Sequence, residues 1–302
     1  MSLRIAMTGS HGLIGSALAA RFLKEGHSVT RIVRSSGVDI LGQHSVVWDP
    51  AKQVIDAERL AGHEVVIHLA GANLASQRWT PEFKKKLRES RLQSTAFLSQ
   101  TLTKLPKPPQ VFLCASAVGY YGNRPSSETV TEATSQGWDF LSDLCVEWEK
   151  AAHPASARGI RVVNMRFGMV LSEQGGGLAK MLPVFRLGWG GNLGSGKQMM
   201  SWISIEDVPD IILHLIENRS IFGPVNVVAP QPLSNEEFTK ILGRVIHRPT
   251  VFPTPDFVMR FLFGEMADAL LLGGARVLPK KLQDSGYRFR YPDLKPALEK
   301  IL

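Results

Sequence analysis

Three glycines near the start of the sequence form its clearest candidate binding site. Gly9, Gly12 and Gly15 lie three residues apart, between an apolar strand-like run and an amphipathic helical pattern. Such glycines permit a tight turn, let a pyrophosphate approach the backbone and bring the next helix close to the sheet. The helix then directs free N–H groups and the positive end of its dipole at the phosphates. The predicted contacts of a dinucleotide in this loop are Gly9, Ser10, Gly12, Leu13, Ile14 and Gly15.

The end of the second predicted strand indicates which nucleotide the loop takes. NAD sites use an Asp or Glu about 20 residues further on to bond the ribose 2′-hydroxyl. Residues 32–36 contain no carboxylate and carry Arg34 and Ser35 instead. A guanidinium pairs well with phosphate oxygens, and a serine can donate a hydrogen bond beside it. The sequence therefore favours NADP(H), with Arg34 and Ser35 at the 2′-phosphate.

Alternating patterns predict the scaffold that positions these loops. Apolar strand-like runs alternate with helical periodicity through the first half of the chain, which is typical of βαβ units and a parallel sheet. We therefore predict an α/β fold with a Rossmann-like, doubly wound parallel sheet. The predicted strands are residues 4–8, 28–33, 65–69, 110–115 and 161–166, with a later one near 225–228. The predicted helices are residues 13–25, 81–104, 140–152 and 235–245.

The second half of the chain has a different texture. Glycine-rich residues 175–177 and 188–196 are interpreted as loops that approach a ligand. Residues 257–272 are apolar but include three charged side chains, which favours an amphipathic helix over a membrane span. Two domains are predicted. Residues 1–170 form an NADP-binding Rossmann-like domain. Residues 171–302 form a C-terminal substrate or cap region, parts of which can be interleaved with the core.

Composition limits the class of protein. The 302 residues are 44% hydrophobic and 21% charged, as in an ordinary globular protein. Cys114 and Cys145 lack metal-ligand spacing, so we predict free thiols and no metal site. No signal-peptide pattern precedes the first strand, and we expect a cytoplasmic protein. The net charge of +8 is attributed to an anionic cofactor and a solvated surface, since no nucleic-acid-binding motif accompanies it.

Further motifs resemble those of the extended short-chain dehydrogenase/reductases, the group of the nucleotide-sugar epimerases. Besides the glycines, the shared features are His68-Leu69-Ala70-Gly71 and Ser116 with Tyr121-Gly122, each after a predicted strand. The whole chain is similar, more narrowly, to the atypical subfamily called epimerase family protein. That likeness rests on Arg78-Trp79, Ser90-Arg91 and residues 115–122, 166–171, 180–183, 194–198, 201–203, 264–266 and 276–279.

The resemblance implies a course for the cofactor. It places Leu69, Ala70 and Gly71 along the adenine and ribose portions of NADP(H), and Val170 near the nicotinamide. It places Arg91, where ordinary extended members have an asparagine, within reach of a cofactor phosphate. It also implies a homodimer, formed through the long helices that follow the strands predicted at residues 65–69 and 110–115.

The resemblance also shows that a catalytic pair is missing. Ordinary members use Tyr-x-x-x-Lys on the helix expected over residues 137–152, because the lysine lowers the pKa of the tyrosine. Alignment on Glu149 puts Leu141 at the tyrosine position and Cys145 at the lysine position. Neither side chain reproduces the chemistry of the pair.

Three accounts of proton transfer remain open. One takes the proton from Tyr120 or Tyr121 beside Ser116, which makes Ser116 and Tyr121 the candidate catalytic residues. The second uses another titratable group: Cys145, Glu265 or Asp268. The third is that no proton is transferred.

These inferences predict an NADP(H)-binding, epimerase-like or reductase-like oxidoreductase with an atypical catalytic site. Its substrate would be a small carbonyl or sugar-like molecule. The alternative is a noncatalytic NADPH-binding regulator or interaction protein that has kept the nucleotide site. The expected partners are NADPH and that small substrate, without nucleic acid and without a membrane.

Overall fold

Short, almost fully buried apolar runs form the centre of the fold. The computed structural model describes residues 2–34 and 45–302. Residues 5–7, 65–67 and 111–113 are at most 2% exposed. Such complete burial is expected of parallel strands that have helices on both faces.

The elements are as follows in chain order. The strands are β1 (Arg4–Thr8), β2 (Ser28–Val33), β3 (Ser45–Asp49), β4 (Val54–Ile55), β5 (Val65–His68), β6 (Val111–Ala117), β7 (Thr129–Val130), β8 (Arg161–Phe167), β9 (Met169–Leu171), β10 (Met199–Met200), β11 (Trp202–Ser204), β12 (Gly223–Val227), β13 (Leu233–Ser234) and β14 (Arg276–Val277). The helices are α1 (Leu13–Lys24), α2 (Ala57–Leu60), α3 (Pro81–Lys104), α4 (Phe140–Ala151), α5 (His153–Ala157), α6 (Gly176–Arg186), α7 (Val208–Glu217), α8 (Asn235–Val245), α9 (Asp256–Phe263), α10 (Glu265–Leu270), α11 (Lys280–Asp284) and α12 (Leu294–Ile301).

The main sheet is wound in both directions from β1. Within the described residues it has eight strands in the order β12-β8-β6-β5-β1-β2-β3-β4. The pairs from β12 to β3 are parallel, and β4 is antiparallel to β3. The chain runs outward from β1 through β2 to β3 and then returns to β5 on the other side of β1. The carboxyl ends of β1 and β5 therefore border the switch point, where such sheets bind ligands.

Helices cover the two faces of this sheet. On one face, Leu18 and Phe22 of α1 share an apolar cluster with Ile211 and Leu215 of α7. On the other, Leu98 and Leu102 of α3 share a second cluster with residues of β5, β6 and α5. Alternate residues of each strand face these two layers, as the period of a β-strand requires.

The predicted doubly wound α/β fold is confirmed. The bounds of β1, β2, α3 and α8 agree with the sequence prediction to the residue, and the other predicted elements differ by one or two residues at an end. Sequence analysis missed β3 and α7. It was also wrong about Gly176 and Gly177, which it assigned to a loop with Gly175, because α6 begins at Gly176. These two glycines occupy the first turn of that helix, and the helix-forming residues follow them.

The C-terminal cap is helical, as expected, but residues 257–272 are not one helix. Gly264, with φ of +60°, separates α9 from α10. Phe257 and Phe261 of α9 are exposed. Of the helices in the described residues, none has the length and apolar content needed to cross a membrane.

Candidate functional site

The turn after β1 is built so that only glycine fits. Gly9 has φ of +68°, and a Cβ there would lie 2.8 Å from the carbonyl carbon of Leu69. A Cβ on Gly15 would lie 2.2 Å from the carbonyl oxygen of Gly9. The loop, the first turn of α1 and the chain after β5 are therefore in direct backbone contact. We call this region, residues 9–15 and 69–71, the nucleotide crevice.

The start of α1 leaves polar groups available in the nucleotide crevice. No described side chain caps this helix, whereas Thr80 caps α3 and Ser234 with Glu237 forms a capping box on α8. Ser10 is 1% exposed, and its buried hydroxyl has no partner among the described residues. Free N–H groups at a helix start, next to glycine backbone and an unpaired hydroxyl, fit the phosphates of a dinucleotide.

A buried hydrogen-bond chain fixes the two sides of the nucleotide crevice to each other. The Thr8 hydroxyl accepts from the N–H groups of Leu69 (3.1 Å) and Ala70 (3.2 Å), and it pairs with Nδ1 of His68 (2.7 Å). Nε2 of His68 pairs with the Ser94 hydroxyl at 3.2 Å. Since that hydroxyl donates to a main-chain carbonyl, Nε2 is the donor and Nδ1 the acceptor.

His68 is neutral in this chain of hydrogen bonds. Burial lowers its pKa from 6.5 to about 3. Sequence analysis named His68 only as part of a motif and did not identify its pairing with Thr8. A histidine at the end of an otherwise apolar strand was the signal that could have found it.

Arg91 lies beneath the predicted adenosine side of the crevice. Its guanidinium donates to the carbonyls of Leu87 (3.1 Å) and Ala72 (3.0 Å) and stacks over the Trp148 ring at 5.0 Å. A Cβ on Gly71 would lie 3.5 Å from Cζ of Arg91. Burial lowers the pKa of this arginine. Arg91 supports the loop after β5 from below, and its predicted contact with a phosphate stays a prediction.

Residues predicted at the phosphates and at the nicotinamide come together at the start of α6. A Cβ on Gly176 would lie 3.3 Å from the carbonyl oxygen of Val170 and 3.4 Å from Cδ2 of Leu13. Val170 is in β9, which pairs with β11. The start of α6 therefore closes over the phosphate loop and brings β9 beside it.

The residues predicted at the 2′-phosphate are Arg34 and Ser35. Arg34 follows β2 directly and is exposed. Ser35 lies outside the described residues, so its predicted role stays a prediction.

The helix that should hold the catalytic pair presents apolar side chains instead. Leu141 and Cys145 of α4 are 6% and 3% exposed, and both lie against Gly119 of the turn after β6. Burial, followed by the charge of Glu149, raises the pKa of Cys145 to about 12. A thiol with such a pKa stays protonated near neutral pH and is a poor nucleophile.

Ser116 and Tyr121 lie in one buried set of polar side chains, which we call the arginine network: Ser116, Glu149, Arg166, Tyr121 and Asn226. The Ser116 hydroxyl donates to Oε1 of Glu149 at 2.7 Å. Both carboxylate oxygens of Glu149 accept from Arg166, at 2.7 and 2.8 Å. This two-pronged geometry is the strongest that the ion pair can adopt. Burial lowers the pKa of Arg166, but Glu149 and then Tyr121 more than offset this and raise it.

Tyr121 closes the arginine network on its other side. It is fully buried; its hydroxyl accepts from Nη1 of Arg166 at 3.0 Å and donates to Oδ1 of Asn226 at 2.7 Å. Burial raises the pKa of Tyr121 to about 12, against the opposing effects of Arg166 and Asn226. Sequence analysis missed Glu149, Arg166 and Asn226 as partners. The signal that could have found them was the presence of polar or charged residues within otherwise apolar strands and helices.

The other proton sources considered are also engaged. The guanidinium of Arg166 lies 3.4 Å from the centre of the Tyr120 ring. Glu265 pairs with Lys84, and Asp268 pairs with Arg260 at 3.0 Å. The structure thus brings Ser116 and Tyr121 together, and it places Glu265 and Asp268 in exposed ion pairs of the cap.

Comparison with known proteins decides the family. The model of the NAD dependent epimerase/dehydratase family matches residues 5–228, which include the nucleotide crevice and the arginine network. The chain belongs to this family. A second family model, described as a domain of unknown function, matches residues 254–301 in the cap.

Relatives match this NAD dependent epimerase/dehydratase family member along its whole length. An epimerase family protein of Mycobacterium tuberculosis is 42% identical over 97% of this chain and 96% of its own. The epimerase family protein SDR39U1 of Homo sapiens is 34% identical over 99% of this chain and 100% of its own. The crystal structure of human SDR39U1 (isoform 2) with NADPH superimposes with a TM-score of 0.88 and 33% identity, covering 99% of both chains. The predicted resemblance to the epimerase-like subfamily is confirmed.

Proposed function

We propose that the protein is an NADP(H)-dependent, epimerase-like or reductase-like oxidoreductase that acts on a small carbonyl or sugar-like substrate. The observation that carries this proposal is the nucleotide crevice at the switch point of the sheet. There the uncapped start of α1 meets glycine backbone and the unpaired hydroxyl of Ser10. Human SDR39U1, whose structure is similar over the whole chain, binds NADPH.

The preference for NADP(H) is assigned to Arg34. Its exposed side chain follows β2, the strand next to β1, where the ribose of a dinucleotide would lie beyond the glycines. A guanidinium there favours a 2′-phosphate over a 2′-hydroxyl. Ser35 is assigned to the same phosphate.

The chain's own residues would hold the cofactor by backbone and shape rather than by many charges. The phosphate contacts are assigned to Gly9, Ser10, Gly12, Leu13, Ile14 and Gly15. Leu69, Ala70 and Gly71 would line the adenine and ribose, with Arg91 reaching from below. Val170 would face the nicotinamide, which supplies or accepts the hydride when bound.

Proton transfer is assigned to Ser116 and Tyr121. Both hydroxyls lie in the arginine network, where Arg166 would stabilise a tyrosinate and Glu149 would accept from the serine. A raised pKa of about 12 makes Tyr121 a reluctant proton donor. The proposed mechanism therefore requires the network to rearrange when substrate is bound.

The burial of Ser116 and Tyr121 in the arginine network also favours a second function. If the arginine network does not open, the protein binds NADPH without transferring a hydride. It would then act as an NADPH-responsive regulator or interaction protein. Replacement of the usual tyrosine and lysine by Leu141 and Cys145, both buried, supports this alternative.

The remaining assignments complete the proposal. The protein is expected in the cytoplasm, as a homodimer joined through α3 and α4, and without nucleic acid as a partner. Sedimentation velocity of the purified protein would test the dimer. Residues 1–170 and 171–302 are assigned to the nucleotide-binding and cap regions.

Calorimetric titration with NADPH and, separately, NADH tests the central claim. We expect NADPH to bind tighter, and Arg34→Ala to reduce that preference by about tenfold or more, since it removes a charge-assisted pair. Arg244→Ala, an exposed arginine of α8, is the matched control. Failure of both nucleotides to bind would refute the proposal. Screening of carbonyl and sugar substrates by loss of NADPH absorbance would then separate the enzyme from the regulator.

A further inference from the structure

A groove lies beside the edge strand of the sheet, away from the nucleotide crevice. It has a volume of about 730 Å³, between α4–α5 on one side and the start of β12 on the other. Arg161 and Gly223, the first residues of β8 and β12, line it. The groove starts at the amino ends of β8 and β12 and extends to Tyr120 and Glu149 at the arginine network, whereas the nucleotide crevice is at the carboxyl ends of β1 and β5. We call this cavity the edge groove.

An unpaired buried amide lines the edge groove. Asn164 of β8 is 9% exposed, and its Oδ1 is buried without a hydrogen-bond partner among the described residues. It shares a face of β8 with Arg166, whose polar atoms are paired. An unmet buried polar group costs about 1–3 kcal/mol, so its presence in a folded protein calls for an explanation. A ligand would satisfy this amide by donating to Oδ1 or, if the ligand is an anion, by accepting from Nδ2 once the amide has turned over.

The rim of the edge groove is positively charged. Lys150, Arg161 and Arg219 line it together with His153. Among the described residues, neither Lys150 nor His153 has an ion-pair partner. Burial lowers the pKa of Arg161, and the positive charge of Arg219 lowers it further. An anion between these side chains would relieve that repulsion.

The acid in the wall of the edge groove does not cancel this charge. Of the described residues that line the groove, Glu149 is the one carboxylate. Both of its oxygens are already occupied by Arg166, and Ser116 donates to one of them. The charge that the groove offers to a ligand is therefore positive.

Aromatic side chains add apolar surface to the edge groove. Phe222 is 67% exposed although it lines the cavity, and the half-buried Tyr120 also lines it. An exposed ring next to cations suits a planar ligand that carries negative charge. We propose that the edge groove binds a small organic anion with a flat ring, held by the Asn164 amide, the basic rim and Phe222.

Titration with 1-naphthyl phosphate tests this site without knowledge of the natural ligand. The protein is first saturated with NADPH, so that the nucleotide crevice does not compete, and the titration is repeated without NADPH. Uncharged 1-naphthol and inorganic phosphate serve as probes that lack the anion or the ring. We expect one 1-naphthyl phosphate per chain, bound tighter than either partial probe.

Variants show whether the probe occupies the edge groove. Lys150→Glu and Arg219→Glu should each weaken binding about tenfold or more, because each reverses a rim charge. Phe222→Ala should weaken it about fivefold. Arg244→Glu, at the remote basic end of α8, should change it by less than about twofold.

A fourth variant tests the amide and does not depend on rim charge. Asn164→Leu removes the unpaired amide at similar volume, so binding should weaken while resistance to urea is retained or increased. The proposal is overturned if 1-naphthyl phosphate does not bind, if 1-naphthol binds equally well, or if the rim variants behave like Arg244→Glu. Loss of NADPH binding alone would leave it standing, because none of the residues assigned to NADPH lines the edge groove.

Discussion

The nucleotide crevice and the arginine network use polar groups in opposite ways. In the crevice, no described side chain caps the start of α1, the Ser10 hydroxyl has no partner among the described residues, and His68 is neutral. In the arginine network, Ser116, Glu149, Arg166 and Tyr121 satisfy one another. The crevice is ready to accept an anionic ligand with little rearrangement. The network must break existing bonds before any of its members can act on a substrate.

The difference separates the requirements of phosphate binding from those of proton transfer. Binding of phosphates depends on main-chain groups that the sheet positions directly, and those groups are in place here. Proton transfer depends on side chains that are free to change charge, and the described residues near α4 hold theirs in pairs. The comparison predicts that variants in the crevice act on affinity, and that variants in the network act first on stability.

The largest effect is expected from opening the ion pair in the network. Glu149→Leu leaves the Arg166 guanidinium, which is 2% exposed, without its carboxylate. The free energy of unfolding should fall by about 3–5 kcal/mol, measured by urea denaturation. The double variant Glu149→Leu/Arg166→Met should recover much of that loss. Glu299→Gln, which breaks an exposed pair with Lys295, should cost less than about 0.5 kcal/mol. Equal losses from the buried and the exposed pair would contradict the comparison.

The next largest effect is expected in the nucleotide crevice. Gly15→Ala places a methyl group 2.2 Å from the Gly9 carbonyl oxygen, so the loop must move. Overpacking of this kind costs up to about 3 kcal/mol, and we expect NADPH affinity to fall roughly 100-fold. Calorimetry measures the affinity, and a thermal melt reports the fold. Ala20→Ser, on the exposed side of the same helix, is the control. Unchanged affinity in Gly15→Ala would place the nucleotide elsewhere.

A smaller effect links pH to the histidine behind the crevice. The pKa of His68 falls from 6.5 in the unfolded chain to about 3 in the folded protein. Since the unfolded chain takes up the proton first, this residue's contribution is complete above pH 6.5 and is lost as the pH falls towards 3. At pH 5 the loss is about 2 kcal/mol. His68→Gln should lack this part of the pH dependence, measured by urea unfolding at pH 7 and pH 5. His247→Gln, an exposed histidine, should behave like the wild type.

The smallest effect on stability is expected from the tyrosine hydroxyl. Tyr121→Phe removes the bonds to Arg166 and Asn226 and should cost roughly 1–2 kcal/mol. If Tyr121 transfers a proton, the hydride-transfer rate on a substrate from the screen should fall about 100-fold or more while NADPH affinity is kept. A stability loss with an unchanged rate would assign the hydroxyl a structural role. Leu141→Met, at a buried residue of α4 that packs against Gly119 in the same turn as Tyr121, controls for repacking.

Part of the fold and of the site followed from local sequence. The bounds of β1 and α3 agreed with prediction because one is a short apolar run before a glycine and the other begins with Thr80-Pro81. The glycine spacing located the tight turn after β1 because turn and close approach are backbone properties of these residues. The break at Gly264 in the cap was missed because apolar residues continue on both sides of it.

The sequence by itself determined the α/β class, the family and the position of the nucleotide crevice. Only the tertiary structure decided the state of the side chains around the missing catalytic pair. Tyr121 and Asn226 are 105 residues apart in the chain and meet because β12 pairs with β8. The same strand order leaves Oδ1 of Asn164 without a partner among the described residues, beside a basic rim. Such pairings depend on which strands become neighbours in the sheet, and no local pattern in the sequence specifies that.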